Sequence, residues 1–113
     1  MTDRELLELA AKAAGYKFLK YHEDHGLSGP WAEINKPAPE SCTSRWNPIE
    51  NDGDALRLAV KLGMEIRIYG SEVRVYCCGI IASEGPPDLN SATRRAIVRA
   101  AAEIGRYTPR PTA

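Results

Sequence analysis

The chain has 113 residues, 15 of them basic and 15 acidic, with 43% hydrophobic and 27% charged side chains. That length suits one domain with a core of its own, and the composition excludes wholesale disorder. The charges cancel, which excludes a global field drawing the protein onto nucleic acid or anionic lipid; any such binding needs a local patch.

The three cysteines, Cys42, Cys77 and Cys78, are odd in number and two are adjacent, unlike a secreted disulfide framework. The opening Met1-Thr2-Asp3-Arg4-Glu5 has neither the basic nor the apolar region of a signal peptide, and no apolar run approaches the roughly 18 residues of a membrane span. The expectation is a soluble cytoplasmic protein, with reduced thiols and no membrane partner.

Thr2 and Glu5 form a T-x-x-E capping box that opens a helix. Leu6, Leu9, Ala10 and Ala13 recur at helical spacing, and Gly15 stands where a left-handed cap would close it. Residues 16–21 and 31–34 read as two strands joined by a polar, Gly-rich connection. From 35 to 50 the pattern disappears, with Pro37, Pro39 and Pro48 opposing regular structure. A second helix starts at Asn51 or Asp52 and stops at Gly63. Only Asp54, Arg57 and Lys61 are polar in its interior, which predicts burial on several sides, against a sheet and another helix.

Met64, Ile66 and Ile68 then alternate with Glu65, Arg67 and Tyr69, and Val73, Val75 and Cys77 with Arg74, Tyr76 and Cys78. Gly70-Ser71 between the two runs suits a type II′ hairpin turn, pairing Ile68 with Val73, Ile66 with Val75 and Met64 with Cys77. After a turn-rich stretch at 83–88, a third helix is predicted over 91–104, capped by Asn90 or Ser91 and ended by Gly105. Residues 1–107 read as a single domain and 108–113 as a loose tail. The order α-β-β-α-β-β-α predicts an α+β layered sandwich of three helices and a mainly antiparallel four-stranded sheet.

Three stretches carry a resemblance: MTDRELLELAAKAAG at 1–15, WNPIENDGDALRLAVKLG at 46–63 and ATRRAIVRAAAEIG at 92–105. Together they resemble the phage ABA-sandwich domain family, small proteins of tailed phages and prophages, and Trp46-Asn47-Pro48 with Asp52-Gly53-Asp54-Ala55 is the most specific part. The resemblance implies a sheet between helical layers and a phage or prophage origin. It carries over no catalytic residues.

No catalytic constellation emerges from the residues themselves. His22 and His25 have ligand-like spacing, but only Cys42 could join them, and a solvated loop explains them as well. Cys77-Cys78 is not C-x-x-C, and on a strand its thiols would point to opposite faces. Asp52-Gly53-Asp54 resembles the start of a calcium loop, yet helix capping accounts for it. No cofactor, metal site or enzymatic activity is expected.

The binding candidates are Trp31, Trp46, Arg67, Arg74, Tyr76, Arg95 and Arg99. The tryptophans could anchor a partner or sit in the core, with Trp46 as a hydrophobic clasp on the turn into the second helix. The hairpin register sets Arg67 opposite Arg74, unfavourable unless acids neutralise them; Glu65 and Glu72 are near enough, and an acidic partner is the other reading. Arg95 and Arg99 share a face of the third helix beside Glu103. The expected function is that of a non-enzymatic accessory factor that docks on a host or phage protein, countering host defence being one such role. The alternative is nucleotide or nucleic-acid binding through an arginine patch. A homodimer is also expected, through an aromatic patch of Tyr69, Tyr76 and Trp31 on the sheet.

Overall fold

The computed structural model describes residues 2–22, 29–35, 41–85 and 88–107, and for 17–22, 29–35 and 41–45 it describes the backbone alone. Helix α1 (Asp3–Ala14) begins where the capping box places it: the Thr2 hydroxyl accepts from the Glu5 amide at 3.2 Å, and Gly15 closes it in the left-handed conformation. Strands β1 (Lys17–His22) and β2 (Gly29–Asn35) pair antiparallel, close to the expected hairpin. The supposed patternless stretch contains a further strand, β3 (Ser41–Arg45), antiparallel to β2 with Asn35 opposite Ser41 and Trp31 opposite Arg45. Ser41-Cys42-Thr43-Ser44-Arg45 has no apolar alternation, so pairing with β2 rather than its own pattern defines it. The loop between the expected strands and the tail at 108–113 lie outside the described residues.

Helix α2 (Asp52–Leu62) starts on Asn51, whose side chain accepts from the Asp54 amide at 2.9 Å. Strands β4 (Glu65–Tyr69) and β5 (Glu72–Cys77) form the hairpin in the expected register, Ile68 with Val73, Ile66 with Val75 and Arg67 with Arg74. Gly70 takes the positive φ, 50°, that the first turn position of a II′ turn needs. The sheet does not stop there. Cys78 and Gly79 both have positive φ, 53° and 81°, and turn the chain into β6 (Ile80–Glu84), antiparallel to β5. Positive φ at both central positions is the I′ requirement, usually met by Asn-Gly; Cys-Gly is an uncommon form of it.

Helix α3 (Leu89–Tyr107) is longer than expected at both ends. Asp88 is the effective cap: its carboxylate accepts from the Asn90 amide at 3.1 Å and the Ser91 hydroxyl at 2.8 Å, and these bonds hold its pKa below the usual value. Gly105 does not end the helix. It lies inside it, where a Cβ would overlap the Leu9 carbonyl oxygen and lie 2.7 Å from its carbon. The residue therefore serves close approach of α1 to α3.

Among the described residues the fold is α+β with three helices and antiparallel sheet, but the expected four-stranded sheet is replaced by two three-stranded sheets, β1-β2-β3 and β4-β5-β6. The two additional strands have weak patterns and are created by their neighbours' open hydrogen bonds. Layering departs from the expectation too. Helix α3 packs on β5 and β6 with one side and on α1 and α2 with the other, while β1 and β2 meet α1. It is therefore α3, not α2, that is enclosed: Ala92, Ala96, Ile97, Val98, Ala100, Ala101 and Ala102 are all buried. Helix α2 keeps Leu58 fully buried against the core, yet Leu56 and Val60 are 60% and 73% exposed. Among the described residues its packing is mainly on helices rather than a sheet, which leaves Leu56 and Val60 uncovered.

Candidate functional site

Alternation along β5 and β6 divides the second sheet cleanly. Val73, Val75 and Ala82 point to α3 and are buried. Residues of the opposite parity project from a face on which no helix packs among the described residues: Glu65, Arg67 and Tyr69 from β4, Glu72, Arg74 and Tyr76 from β5, and Ile81 and Ser83 from β6. Ile81, a β-branched residue well suited to a core, is 63% exposed there.

The polar groups on this face are ordered by one another. Arg67 Nε donates to Glu65 Oε1 at 2.7 Å, and Arg74 donates through Nε and Nη2 to both oxygens of Glu72, each at 3.3 Å. The arginines also lie over the aromatic rings, Arg67 5.2 Å from the Tyr76 centroid and Arg74 5.1 Å from that of Tyr69. Such contacts hold flexible side chains in place, although each is worth little at an exposed site. They also polarise the groups involved. Hydrogen bonding to Arg67, and then to Tyr76, holds the Tyr69 phenol below its ordinary pKa. Hydrogen bonding to Glu72, then to Tyr76, raises that of Arg74. Two arginines and two glutamates leave the lattice without net charge.

The adjacent turn brings together two thiols that continued strand alternation would have sent to opposite faces. Because Cys78 leaves the strand at positive φ, its side chain does not continue the alternation, and the two Sγ atoms stand 3.6 Å apart. Cys77 is buried and donates to the Leu62 carbonyl at 3.2 Å, while Cys78 is exposed. Burial, with the hydrogen bond to Cys78 second, pushes the Cys77 thiol up to about 11.

The other predicted site residues fall elsewhere. Trp46 is in the core, 2% exposed, with its ring edge-on to Tyr16 at 5.7 Å. The turn it begins is fixed: the Asn47 amide donates to Asp54 Oδ2 at 2.9 Å, the Ile49 amide donates to Asn47 Oδ1 at 3.2 Å, and Pro48 is buried. This is the clasp reading, and Asp52 and Asp54 serve that turn and the helix start. Arg95 pairs with Asp3 of α1 at 3.2 Å, and Arg99 pairs with Glu84 and donates to the Ser83 carbonyl at 3.2 Å. Both lie on the helix side of the sheet, so they do not join Arg67 and Arg74 in one patch. The Trp31 side chain lies outside the described residues, as do His25 and the side chains of His22 and Cys42.

Arg94, which is not among the binding candidates, makes more hydrogen bonds than Arg95 or Arg99. It donates to the Ile49 carbonyl at 2.9 Å, to Asp52 Oδ1 at 2.6 Å and to Ser91 Oγ at 3.0 Å, tying α3 to the turn before α2. The missed face residue, Ile81, needed β6: without a third strand the open face loses a third of its width. Gly79, between two β-competent runs, was the available signal. Among the described residues no three His, Cys, Asp or Glu side chains gather as metal ligands, and no helix is long and apolar enough to cross a membrane.

Comparison with protein-family models, with curated proteins and with solved structures gives no match.

Proposed function

We propose that the protein is a non-enzymatic phage or prophage accessory factor of the bacterial cytoplasm that acts by docking on a host or phage protein through the open face of β4-β5-β6. The observation that carries the docking reading is the arginine–tyrosine lattice of Arg67, Tyr69, Arg74 and Tyr76 beside exposed Ile81. Tyr and Arg are enriched at protein interfaces, and an exposed apolar residue rimmed by them suits a pocket on a partner. Holding the arginines before binding lowers the entropy lost when they are buried. The phage origin rests on the sequence resemblance, and countering host defence is one role such docking would serve.

A neutral lattice fits a protein better than a polyanion. Phosphate binding draws its affinity from uncompensated cations, and here each arginine already has a glutamate. Arg95 and Arg99, which would have to enlarge a nucleic-acid patch, are engaged on the other side of the sheet. The reading is tested by retaining partners from bacterial and phage-infected lysates on the wild-type protein and on Arg74→Glu/Tyr76→Ala. A stoichiometric partner held by the first and lost by the second supports it. Equal retention by both refutes the face assignment, and salt-sensitive binding of single-stranded DNA, RNA or nucleotides in a fluorescence titration would replace it with the nucleic-acid reading.

A further inference from the structure

Among the described residues strand β4 is an edge of its sheet, bonded to β5 alone. Edges of natural sheets are commonly blunted by prolines, bulges, lysines or inward charges. β4 has none of these: its pairing with β5 runs without a register shift, and its two charges, Glu65 and Arg67, point outward with opposite signs. Its core-side face is also unfinished. Ile68 has the same parity as Ile66 and pairs with fully buried Val73, yet it is 64% exposed, because α3 covers β5 and β6 and stops short of β4.

The backbone of this edge can be read from the turn. In a two-residue hairpin the pair flanking the turn exchanges both hydrogen bonds, and bonding then alternates. Tyr69, Arg67 and Glu65 therefore direct their amide and carbonyl groups to β5, and Ile66 and Ile68 direct theirs outward. The Met64 amide is already bonded to the Ala59 carbonyl at 2.9 Å, which leaves its own carbonyl available to an incoming strand.

We infer that β4 pairs antiparallel with β4 of a second copy of this chain, about a two-fold axis through Ile66. The sequence Met64-Glu65-Ile66-Arg67-Ile68 is self-complementary about that point. Ile66 meets the partner's Ile66 and exchanges two backbone hydrogen bonds with it. At either end the Ile68 amide reaches the partner's Met64 carbonyl. On the core side Ile68 packs against the partner's Met64, which covers its exposed surface. On the open side Glu65 stands opposite the partner's Arg67, twice, in the non-hydrogen-bonded positions where side chains approach most closely. An axis one residue later would set Arg67 against the partner's Arg67 instead, and like charges directly opposite are unfavourable. Charge thus selects the register. The result is one six-stranded sheet, whose open side carries two arginine–tyrosine lattices. The strand edge shares Glu65 and Arg67 with the face assigned to partner docking, but self-association is measured on the purified chain and docking is tested at Arg74 and Tyr76, so either can fail without the other.

Sedimentation velocity over a concentration series, on the full chain, provides the test. The wild type is expected to be a dimer at micromolar concentration. Glu65→Arg and Arg67→Glu should each weaken the dimer at least about tenfold, since each creates two like-charge pairs. An equimolar mixture of the two variants should recover wild-type affinity, because the arginine introduced at position 65 then faces the glutamate introduced at position 67. Recovery on mixing also shows that both variants are folded. A wild-type monomer at high micromolar concentration overturns the inference, as does a dimer that neither variant weakens or a mixture that fails to recover.

Discussion

The two faces of the β4-β5-β6 sheet are built from the same strands, one residue apart, and have opposite characters. On one, Val73, Val75 and Ala82 lie under α3 and are buried. On the other, Arg74 and Tyr76 from the same strand stand in the open among Arg67, Tyr69 and Ile81. The covered face holds the domain together, and the open face is ordered by its own side chains without adding to the core. Stability and recognition are thereby separated by a single step along the strand, so mutations on the two faces should differ in kind.

The largest contrast comes from adjacent positions. Val75→Asp buries an unpaired charge under α3 and is expected to unfold the domain, since an uncompensated buried charge costs several kcal/mol, comparable to the stability of a small domain. Arg74→Ala, one residue away, should leave the thermal midpoint within about 4 °C of wild type, as exposed substitutions usually do. Far-UV circular dichroism melts decide this; a cooperative, near-normal melt for Val75→Asp would mean that α3 does not cover the sheet. Next in size is Gly105→Leu, on the far side of α3. The new side chain has no space against the Leu9 backbone. Overpacking of this kind costs about 2–3 kcal/mol, and urea titration should show the midpoint falling accordingly. An unchanged midpoint would show that α1 can move away from α3 freely.

The smallest effect is kinetic and lies at the boundary between the faces. Cys78 is exposed and Cys77 is buried with its pKa pushed up to about 11. Since the thiolate is the nucleophile, iodoacetamide at pH 8 should modify Cys78 first. The Cys77 rate should rise with pH and level off only as pH passes about 11. Peptide mapping by mass spectrometry locates the adducts, and equal rates at pH 8 would contradict the burial of Cys77.

What was legible in the chain follows from interactions that are local. The Thr2–Glu5 cap, the Asn51 cap, the stops at Gly15 and Gly63 and the β4–β5 register all appear as read, because each depends on residues within a few positions of one another. The opposition of Arg67 and Arg74 was legible for the same reason. Strands β3 and β6 were not: Ser41–Arg45 has no apolar alternation, and β6 follows a Cys-Gly turn of uncommon composition. Cys78 breaks the strand alternation at that turn, which is why the thiols meet rather than diverge.

The order of the layers was decided by tertiary structure alone. By composition α2 is the more apolar helix and was expected to be enclosed, yet α3, with its arginines and alanines, takes the centre. Alanine and Gly105 let α1 and the sheet approach α3 closely, and close packing over both sides of a helix outweighs larger side chains that meet a neighbour on one side only. The amino-acid sequence by itself determined the existence of the three helices, the caps of α1 and α2, the central hairpin and the alternation that sorts valines from arginines. Which sheet face is covered, how far the cover extends over β4, and where Arg95 and Arg99 find their partners depend on contacts between residues far apart in the chain, which no local pattern encodes.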